Sequence, residues 1–334
     1  MKPCFVIGCE STRDYPSDTP EAYWRVLLPA RHFKAPAMVL GGSAVEQTVR
    51  DADALWIYEP TSPSVVRLAE FARHLGKPVV CDWAEDIWRR GEQDREYHQS
   101  RLRAATATMA LADLIVVANP LLEGTYADHG PTTVLETVFP LQGWTRSTPG
   151  DIPTIGWWSD GRQKAGSELV AGAVRRQMDQ GVHVWHIQFS HHDPLVAGLD
   201  AKQSRQEARK LGAWRADDLS QGADAVVRYY RDRLAPCLVS LECYAPGVYA
   251  DSVSDVPLLR AAAIGIPSLT TREHVPPGCV GATPPEWPDT LERLMADPAW
   301  RESLEADGLR WVGTRSSFSG YEAAIAAIPT VAQP

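Results

Sequence analysis

The stretch SVSDVPLLRAAAIGIPSLT, residues 252–270, decides the fold expected of this chain. It predicts a polar turn, a short apolar helix and a buried strand. Ser254 and Asp255 suit the N-cap of the helix, and Pro257 is tolerated in a first helical turn because its missing N–H would be unpaired there. Gly265 predicts the end of the helix, and the strand follows directly. A helix that begins after a loop presents N–H groups, which attract a phosphate.

Strand-like and helix-like runs alternate over most of the chain, which predicts parallel sheets with crossover helices. A run rich in turn formers, residues 139–153, lacks a hydrophobic period and predicts an interdomain linker. The 334 residues exceed the size at which single cores usually split. We therefore expect an N-terminal domain, 1–145, a C-terminal domain, 150–312, and a C-terminal helix within 313–334 that can cross back. The predicted strands are 4–8, 37–40, 54–58, 78–81, 114–117, 133–138, 154–156, 182–189, 238–241 and 266–270.

Composition and charge narrow the class of protein. A hydrophobic content of 44% with 22% charged residues is ordinary for a globular protein in water. The net charge of −9 and the pI near 5.5 argue against broad binding to nucleic acids or membranes. The six cysteines form no Cys-x-x-Cys pair, so they indicate buried thiols rather than a disulfide framework. With no leader-like or membrane-spanning run in the sequence, we expect a cytoplasmic protein.

The stretch 252–270 resembles the donor-phosphate helix of two-domain nucleotide-sugar glycosyltransferases, the GT-B enzymes. Those enzymes carry a "Leu-Leu-Glu-Ala-Ala-Ala-x-Gly-x-Pro" run in their C-terminal half. Four other segments resemble motifs of compact bacterial and bacteriophage enzymes of this type (GT4-like), in the same order. They are Tyr23–Pro29, the acidic loop Asp82–Trp88, Ala112–Val117 and the donor loop Ile155–Lys164.

The resemblance implies an α/β fold with two Rossmann-like domains that face each other across a cleft. The N-terminal domain would bind the acceptor, and the C-terminal domain would bind a UDP-, GDP- or TDP-sugar. These enzymes generally stabilise the departing diphosphate without an essential metal, through helix N-termini and Arg or Lys side chains. The resemblance therefore implies no cofactor apart from the nucleotide sugar, which is the substrate.

The donor-binding candidates follow from that resemblance. Arg162 and Lys164 come after a strand, a glycine and a turn, where they would clamp the diphosphate, or they are solvated loop cations. Ser254 and Asp255 would add backbone N–H groups, although Asp255 better suits a cap because its charge repels phosphate. Trp214 would stack on the nucleobase, or simply pack.

One departure from the family motif concerns the ribose of the donor. The glutamate that holds the ribose hydroxyls in these enzymes is matched by Arg260, and a cation cannot accept hydrogen bonds from two hydroxyls. Three readings stay open. The ribose contacts come from elsewhere, Arg260 meets the diphosphate, or donor binding is lost.

The acidic loop supplies the catalytic candidates. Asp82, Glu85 and Asp86 follow a predicted strand, where a carboxylate could orient the acceptor hydroxyl or take its proton. Their spacing does not say which one acts, and the alternative is a cluster that caps the next helix. Thr12 and Arg25 would face the same acceptor side.

Aromatic and histidine residues beside these loops are ambiguous. Trp83 and Trp88 would suit stacking on a sugar or base, or ordinary packing. His183 and His186 are three apart on a predicted strand, so they point to opposite faces and cannot share one metal ion. The loop that follows, His191-His192-Asp193, predicts a polar loop rather than a metal site.

We therefore expect a glycosyltransferase that moves a sugar from a nucleotide-diphosphate sugar to an acceptor hydroxyl on a glycan, a metabolite or a hydroxymethylated DNA base. A DNA acceptor would need a positive strip, and an arginine-rich segment could supply one or form a solvated helix face. The alternatives are a catalytically degenerate GT-B protein that binds sugar or nucleotide, and a sugar-nucleotide epimerase of the same architecture. The arginines are Arg89, Arg90, Arg95, Arg101 and Arg103.

Overall fold

The computed structural model describes residues 1–8, 22–40, 44–89, 95–146, 151–158, 164–188 and 223–328. The chain divides into two compact units. Unit 1 consists of Met1–Val138, Ser252–Ser254 and Ser317–Pro334. Unit 2 consists of Phe139–Asp251 and Asp255–Ser316. The C-terminal segment is thus grouped with the N-terminal half of the chain.

Unit 1 contains a six-stranded parallel sheet with the strand order β2-β1-β3-β4-β5-β6. Every residue of β1, β3, β4 and β5 is buried, as expected for strands that are covered on both faces. The strands are β1 (Pro3–Ile7), β2 (Ala37–Val39), β3 (Ala54–Tyr58), β4 (Val79–Trp83), β5 (Leu114–Val117) and β6 (Thr132–Val134).

The helices of unit 1 connect these strands and cover the sheet. The first begins as a π-helical turn, Tyr23–Leu27, which continues without a break into α1 (Leu28–His32). A 3₁₀ turn, Ala127–His129, precedes β6. The other helices are α2 (Val45–Asp51), α3 (Pro63–His74), α4 (Arg95–Met109), α5 (Pro120–Tyr126) and, after the chain returns from unit 2, α12 (Ser319–Ala327).

Unit 2 contains a five-stranded parallel sheet with the strand order β11-β10-β9-β7-β8. Its strands are β7 (Thr154–Trp158), β8 (His183–Gln188), β9 (Val239–Glu242), β10 (Ser268–Thr270) and β11 (Cys279–Gly281). Its helical segments are α6 (Lys164–Asp179), α7 (Ala223–Leu234), α8 (Val248–Ser252), α9 (Val256–Ile264), α10 (Trp287–Ala296) and α11 (Pro298–Thr314). Both units are parallel-sheet Rossmann-like folds, which confirms the fold class predicted from the alternating pattern.

The stretch that decided the fold class forms the predicted helix and strand. Helix α9 spans Val256–Ile264 and has Pro257 in its first turn. Gly265 ends it with a φ of 75°, in the left-handed region that favours glycine. The predicted strand is shorter than expected, since only Ser268–Thr270 pairs with its neighbours.

Two edge strands differ from the sequence expectation. The strand predicted at 133–138 is β6, Thr132–Val134, because only these residues pair with β5. Strand β11 was not predicted. Its three residues, Cys279–Gly281, carry no periodic signal, and they become a strand by pairing with β10.

A glycine in the first turn of α6 should be required for packing. A Cβ atom on Gly166 would overlap the main chain of Cys243 and Tyr244, whereas a Cβ on Gly172 of the same helix would meet nothing within 4 Å. We expect Gly166→Ala to lower the free energy of unfolding by about 1–3 kcal/mol through overpacking. Gly172→Ala should raise it by about 0.5–1 kcal/mol, because alanine favours helix. Urea unfolding of both variants measures this, and equal effects would contradict the close approach.

Candidate functional site

Asp82 lies inside β4 and is fully buried. Its Oδ1 atom accepts a hydrogen bond of 2.7 Å from Nε of Arg25, whose second guanidinium nitrogen lies 2.5 Å away. Its Oδ2 atom accepts from the Trp56 indole at 3.0 Å. Burial raises the pKa of the Asp82 carboxyl, and the Arg25 guanidinium opposes that rise. Both carboxylate oxygens are thus held inside the core.

Arg25 is equally enclosed and joins distant parts of unit 1. Its Nη1 atom donates to the Leu135 carbonyl at 2.9 Å and to Thr137 Oγ1 at 3.3 Å. Its own carbonyl accepts from the Tyr321 hydroxyl of α12 at 3.2 Å. Asp82 was expected to act on an acceptor and Arg25 to line its site. This geometry instead supports a structural ion pair, because neither side chain reaches solvent.

Asp86 stabilises the turn that follows β4. Its Oδ1 atom accepts from the backbone N–H groups of Trp88 at 3.0 Å and Arg89 at 3.3 Å, and its Oδ2 atom lies 3.1 Å from Arg89 Nε. Residues 87–89 form a turn rather than a helix. The alternative prediction was a helix cap formed by Asp82 or Glu85, whereas the structure shows Asp86 capping a turn.

Glu85 is buried beside Tyr126 of α5. The Tyr126 hydroxyl donates to the Glu85 carbonyl at 2.8 Å and accepts from the Ile87 N–H at 3.3 Å. The pKa of Tyr126 is raised well above its ordinary value, first by burial, and then by the nearby carboxylates of Asp86, Glu85 and Glu59. The Tyr126 hydroxyl thus joins α5 to the turn that follows β4.

Glu59 was not identified from the sequence. It directly follows β3, its exposed fraction is 3%, and its φ of 46° is left-handed. The segment Tyr-Glu-Pro gives no signal for such a conformation, because left-handed residues are usually glycine or asparagine. A buried carboxylate with a strained backbone at a strand end is a feature found at functional sites.

The two tryptophans of the acidic loop differ in their surroundings. Trp83 is 1% exposed and stacks on Tyr126, with ring centroids 5.3 Å apart and an interplanar angle of 23°. Of the two alternatives for Trp83, these contacts therefore favour ordinary packing over stacking on a sugar or base. Trp88 is only partly buried and lies parallel to the His129 ring, at 5.0 Å and 8°. It also contacts the Tyr126 ring at an angle of 56°, with centroids 4.9 Å apart, so Trp88 packs against two rings.

Asp255 occupies the N-cap position of α9, but its side chain makes no capping hydrogen bond. Its Oδ1 atom instead accepts from Arg272 at 3.0 Å, and its Oδ2 atom lies 3.7 Å from Arg315. The predicted cap is thus corrected, because two cations draw the carboxylate away from the helix amides. Ser254, expected to contribute at this helix start, is buried with an exposed fraction of 1%.

A second buried ion pair holds Asp255 in this position. Arg272 donates to both oxygens of Glu242, from Nε at 2.8 Å and Nη2 at 2.6 Å, and the Thr270 hydroxyl adds a bond of 3.1 Å. Burial alone would lower the pKa of Arg272, but Glu242 and Asp255 raise it above its ordinary value. Neither Glu242 nor Arg272 was identified from the sequence, because nothing in it links two residues 30 apart.

Arg260 is fully buried in α9, with its guanidinium 3.7 Å from the centre of the Tyr230 ring of α7. One of the three hypotheses for Arg260 was a contact with the donor diphosphate. The burial of its guanidinium does not support that hypothesis. Arg260 packs between helices through a cation–π contact. The residue that matches the family's ribose-binding glutamate is therefore part of the core of unit 2.

Several predicted site residues lie outside the described part of the chain. They are Thr12, Arg162, Trp214, His191, His192 and Asp193. Lys164 is the first residue of α6, and His183 begins β8 with an exposed side chain. Among the residues that the structure describes, no three His, Cys, Asp or Glu side chains are grouped to hold a metal ion. No helix in the described ranges is long and apolar enough to cross a membrane.

Comparisons with known proteins identify the fold. No protein-family model matches the sequence, and no curated protein matches it. Solved structures do match. Alr3699/HepE of Anabaena in complex with UDP-glucose has a TM-score of 0.64 at 15% identity, over 98% of both chains. A glycosyltransferase of Rickettsia africae has a TM-score of 0.57 at 6% identity, over 97% of this chain and 96% of that one.

A third similar structure is a putative UDP-N-acetylglucosamine 2-epimerase of Listeria monocytogenes, with a TM-score of 0.54 at 10% identity over 100% and 99% of the two chains. These alignments span both units. The chain has the GT-B fold. At sequence identities of 15%, 6% and 10%, this structural similarity shows the fold alone.

The buried ion pair between Arg25 and Asp82 in unit 1 should contribute strongly to the stability of the protein. Arg25→Met leaves Asp82 as an uncompensated buried charge, which should lower the free energy of unfolding by about 3–5 kcal/mol. Arg73→Met removes the same kind of pair from the surface, since Arg73 is 42% exposed beside Asp113, and should cost about 1 kcal/mol or less. Chemical denaturation of both variants gives the comparison. Similar losses would contradict the structural role of Arg25.

Proposed function

We propose that this protein is a cytoplasmic glycosyltransferase that moves a sugar from a nucleotide-diphosphate sugar to an acceptor hydroxyl. The observation that supports the proposal is the GT-B fold over nearly the whole chain, shared with a protein crystallised with UDP and with UDP-glucose. The motif order that resembles GT-B enzymes supports it independently. The fold likeness to a glycosyltransferase of Rickettsia africae agrees with transfer.

We assign the diphosphate of the donor to unit 2. Helix α6 follows strand β7 and so begins at the carboxyl edge of the sheet, whereas α9 follows β9 after the short helix α8 and precedes β10. Helix N-termini attract phosphate through their N–H groups and dipoles. We assign Lys164 and Arg162, at and before the start of α6, to the diphosphate, and Trp214 to the nucleobase. Because Arg260 is buried, the ribose hydroxyls would bind elsewhere.

We propose that sugar transfer requires few other groups from unit 2. In the transfer, the bond between the sugar C1 and the phosphate oxygen breaks, and a bond between C1 and the acceptor oxygen forms. The leaving diphosphate gains negative charge, which helix N-termini and the Lys164 and Arg162 cations would stabilise. The acceptor hydroxyl gives up its proton, which the departing diphosphate or the solvent takes up. We propose that no metal ion takes part, as the family resemblance implies.

Nucleotide binding tests the proposal directly. UDP, GDP and TDP should be added separately, and at least one should raise the melting temperature because it binds only the folded protein. At 100 times its dissociation constant, a nucleotide adds about 2.7 kcal/mol, and each kcal/mol corresponds to about 2–4 °C for a domain of 150–250 residues. AMP serves as a control. If none of the diphosphates raises the melting temperature, the proposal fails.

A second candidate is a sugar-nucleotide epimerase, favoured by the likeness to the Listeria monocytogenes structure. The two functions differ in their products. An epimerase interconverts UDP-N-acetylglucosamine and its 2-epimer without an acceptor, whereas a transferase releases the nucleotide diphosphate when sugar is transferred. Chromatography of the nucleotide products after incubation with UDP-sugars separates the two.

The ion pairs around Asp255 should control phosphate binding at α9. Arg272→Lys keeps a cation beside Glu242 but loses the forked contact that also reaches Asp255. The released carboxylate would then cap the first-turn amides and compete with phosphate, so we expect UDP affinity to fall about tenfold. Adding Asp255→Ala should restore affinity to within about threefold, because the competing anion is gone.

Isothermal titration with UDP measures these affinities. Arg310→Lys is the matched control, since Arg310 pairs with Asp307 on the surface. A double variant that binds no better than Arg272→Lys would show that Asp255 does not compete. The donor phosphate would then have to be sought at the start of α6.

A further inference from the structure

The hydroxyl of Ser167 is a buried polar group without a hydrogen-bond partner. Ser167 lies in the first turn of α6, three positions after Lys164, and its exposed fraction is 0%. Its Oγ atom forms no hydrogen bond with any residue that the structure describes. A hydroxyl buried in this way loses its hydrogen bonds to water and gains none in return. The serine therefore costs stability at a position where alanine, the best helix former, would not.

Other hydroxyls in the helices of this protein are paired. The Thr108 hydroxyl, which is also buried, donates to the Ala104 carbonyl at 2.8 Å. The Thr48 hydroxyl donates to the Ala44 carbonyl at 2.8 Å. Serine and threonine in helices commonly form this bond to the carbonyl one turn earlier. Ser167 does not form it, so its hydroxyl is not satisfied by its own helix.

The first turn of α6 lies at the carboxyl edge of the sheet in unit 2. Helix α6 follows β7, and a Cβ atom on Gly166 would overlap the Cys243 carbonyl oxygen, just beyond the end of β9. The turn is thus packed directly against the main chain that leaves the neighbouring strand. Thr271 holds that main chain by donating to the Tyr244 carbonyl at 2.6 Å. Open parallel sheets bind ligands at this edge.

The side chain of Ser167 leans toward the start of α6. In an α-helix the Cα–Cβ bond is tilted toward the N-terminus, so a side chain covers the turn that precedes it. The preceding turn is here the beginning of the helix, where N–H groups have no acceptor within the helix. These N–H groups and the serine hydroxyl all donate hydrogen bonds, and the helix dipole favours a negative charge. An anion with several acceptor oxygens, such as a phosphate, matches this set of donors.

Burial has a different meaning for Ser167 than for Asp82. Both oxygens of Asp82 accept hydrogen bonds inside the core, from Arg25 and Trp56, so that carboxylate needs no further partner. The Ser167 hydroxyl has no such partner in the described part of the chain. A phosphate oxygen at hydrogen-bonding distance would remove the cost of the unpaired hydroxyl, and the low dielectric of a buried position would strengthen the bond.

We propose that the Ser167 hydroxyl donates a hydrogen bond to a phosphate oxygen of the nucleotide-sugar donor. This inference rests on the proposed function, which assigns the diphosphate to the start of α6, and it adds a neutral donor to the Lys164 and Arg162 cations. Positions 164 and 167 are three apart and therefore share a face of the helix. The donor and the nucleotide diphosphate released after transfer both carry such an oxygen, so Ser167 binds substrate and product.

Ser167→Ala tests the assignment through two opposite changes. The melting temperature should rise by about 2–4 °C, because the variant no longer buries an unpaired hydroxyl and because alanine favours helix. The affinity for UDP should fall about tenfold, because a hydrogen bond to a charged phosphate is lost. Thermal unfolding and isothermal titration measure the two effects. If wild-type protein binds GDP or TDP rather than UDP, that nucleotide and its nucleoside replace UDP and uridine.

Two controls show whether the effect on binding is local. Thr108→Val removes a buried helix hydroxyl that is already paired, so the melting temperature should fall and the UDP affinity should stay within about twofold of wild type. Uridine has no phosphate, and it should bind wild-type protein and Ser167→Ala with the same affinity.

The outcomes separate this inference from the proposed function. If wild-type protein binds UDP and Ser167→Ala binds it equally well, the assignment of Ser167 is overturned while the proposed function stands. A variant that loses UDP affinity and also melts at a lower temperature would show that the hydroxyl serves the fold, which overturns the assignment as well. Equal losses of UDP affinity in Thr108→Val, or of uridine affinity in Ser167→Ala, have the same consequence. If wild-type protein binds none of the three diphosphates, the assignment falls together with the proposed function.

Discussion

A buried carboxylate must be neutralised by a cation at hydrogen-bonding distance. Each unit of this protein contains one such buried ion pair. In unit 1, Asp82 of β4 is paired with Arg25. In unit 2, Glu242 of β9 is paired with Arg272. Both carboxylates belong to interior strands of parallel sheets, where hydrophobic side chains cover both faces. The two arginines therefore have to come from other elements, and each ties those elements to the sheet.

The consequence is a fixed frame around the carboxyl edge of each sheet. Arg25 connects the first helical turn, β4 and the segment after β6, and its carbonyl meets Tyr321 of α12. Arg272 connects β9, β10 and the residue before α9. Loops that bind ligands in open α/β sheets lie at this edge. The buried ion pairs thus hold the residues at the ends of these strands in defined positions.

This division explains why acidic residues at one edge have different roles. Asp82 and Asp86 both belong to a motif that resembles the acidic loop of GT-B enzymes, yet the first is enclosed in an ion pair and the second holds a turn. Glu59 belongs to no motif, but it is buried, its backbone is left-handed, and its N–H donates to the Asp82 carbonyl. A motif therefore indicates which edge of the sheet a residue occupies, whereas the contacts of its side chain decide whether that side chain is enclosed in the core.

The sequence by itself determined the features that depend on neighbours in the chain. Alternating apolar runs predicted two parallel-sheet units, and the stretch 252–270 predicted α9, its proline in the first turn and its glycine stop. These features follow from local propensity and hydrophobic period, which a short window of sequence contains.

Only the tertiary structure decided the partners of the buried charges. Asp82 and Arg25 are 57 residues apart, and Glu242 and Arg272 are 30 apart, so no local pattern joins them. The same reason explains why Asp255, a good capping residue by its position, turns to Arg272 instead, and why β11 is a strand at all. Contacts between distant residues form when the sheets assemble, and their energies then override the local preference.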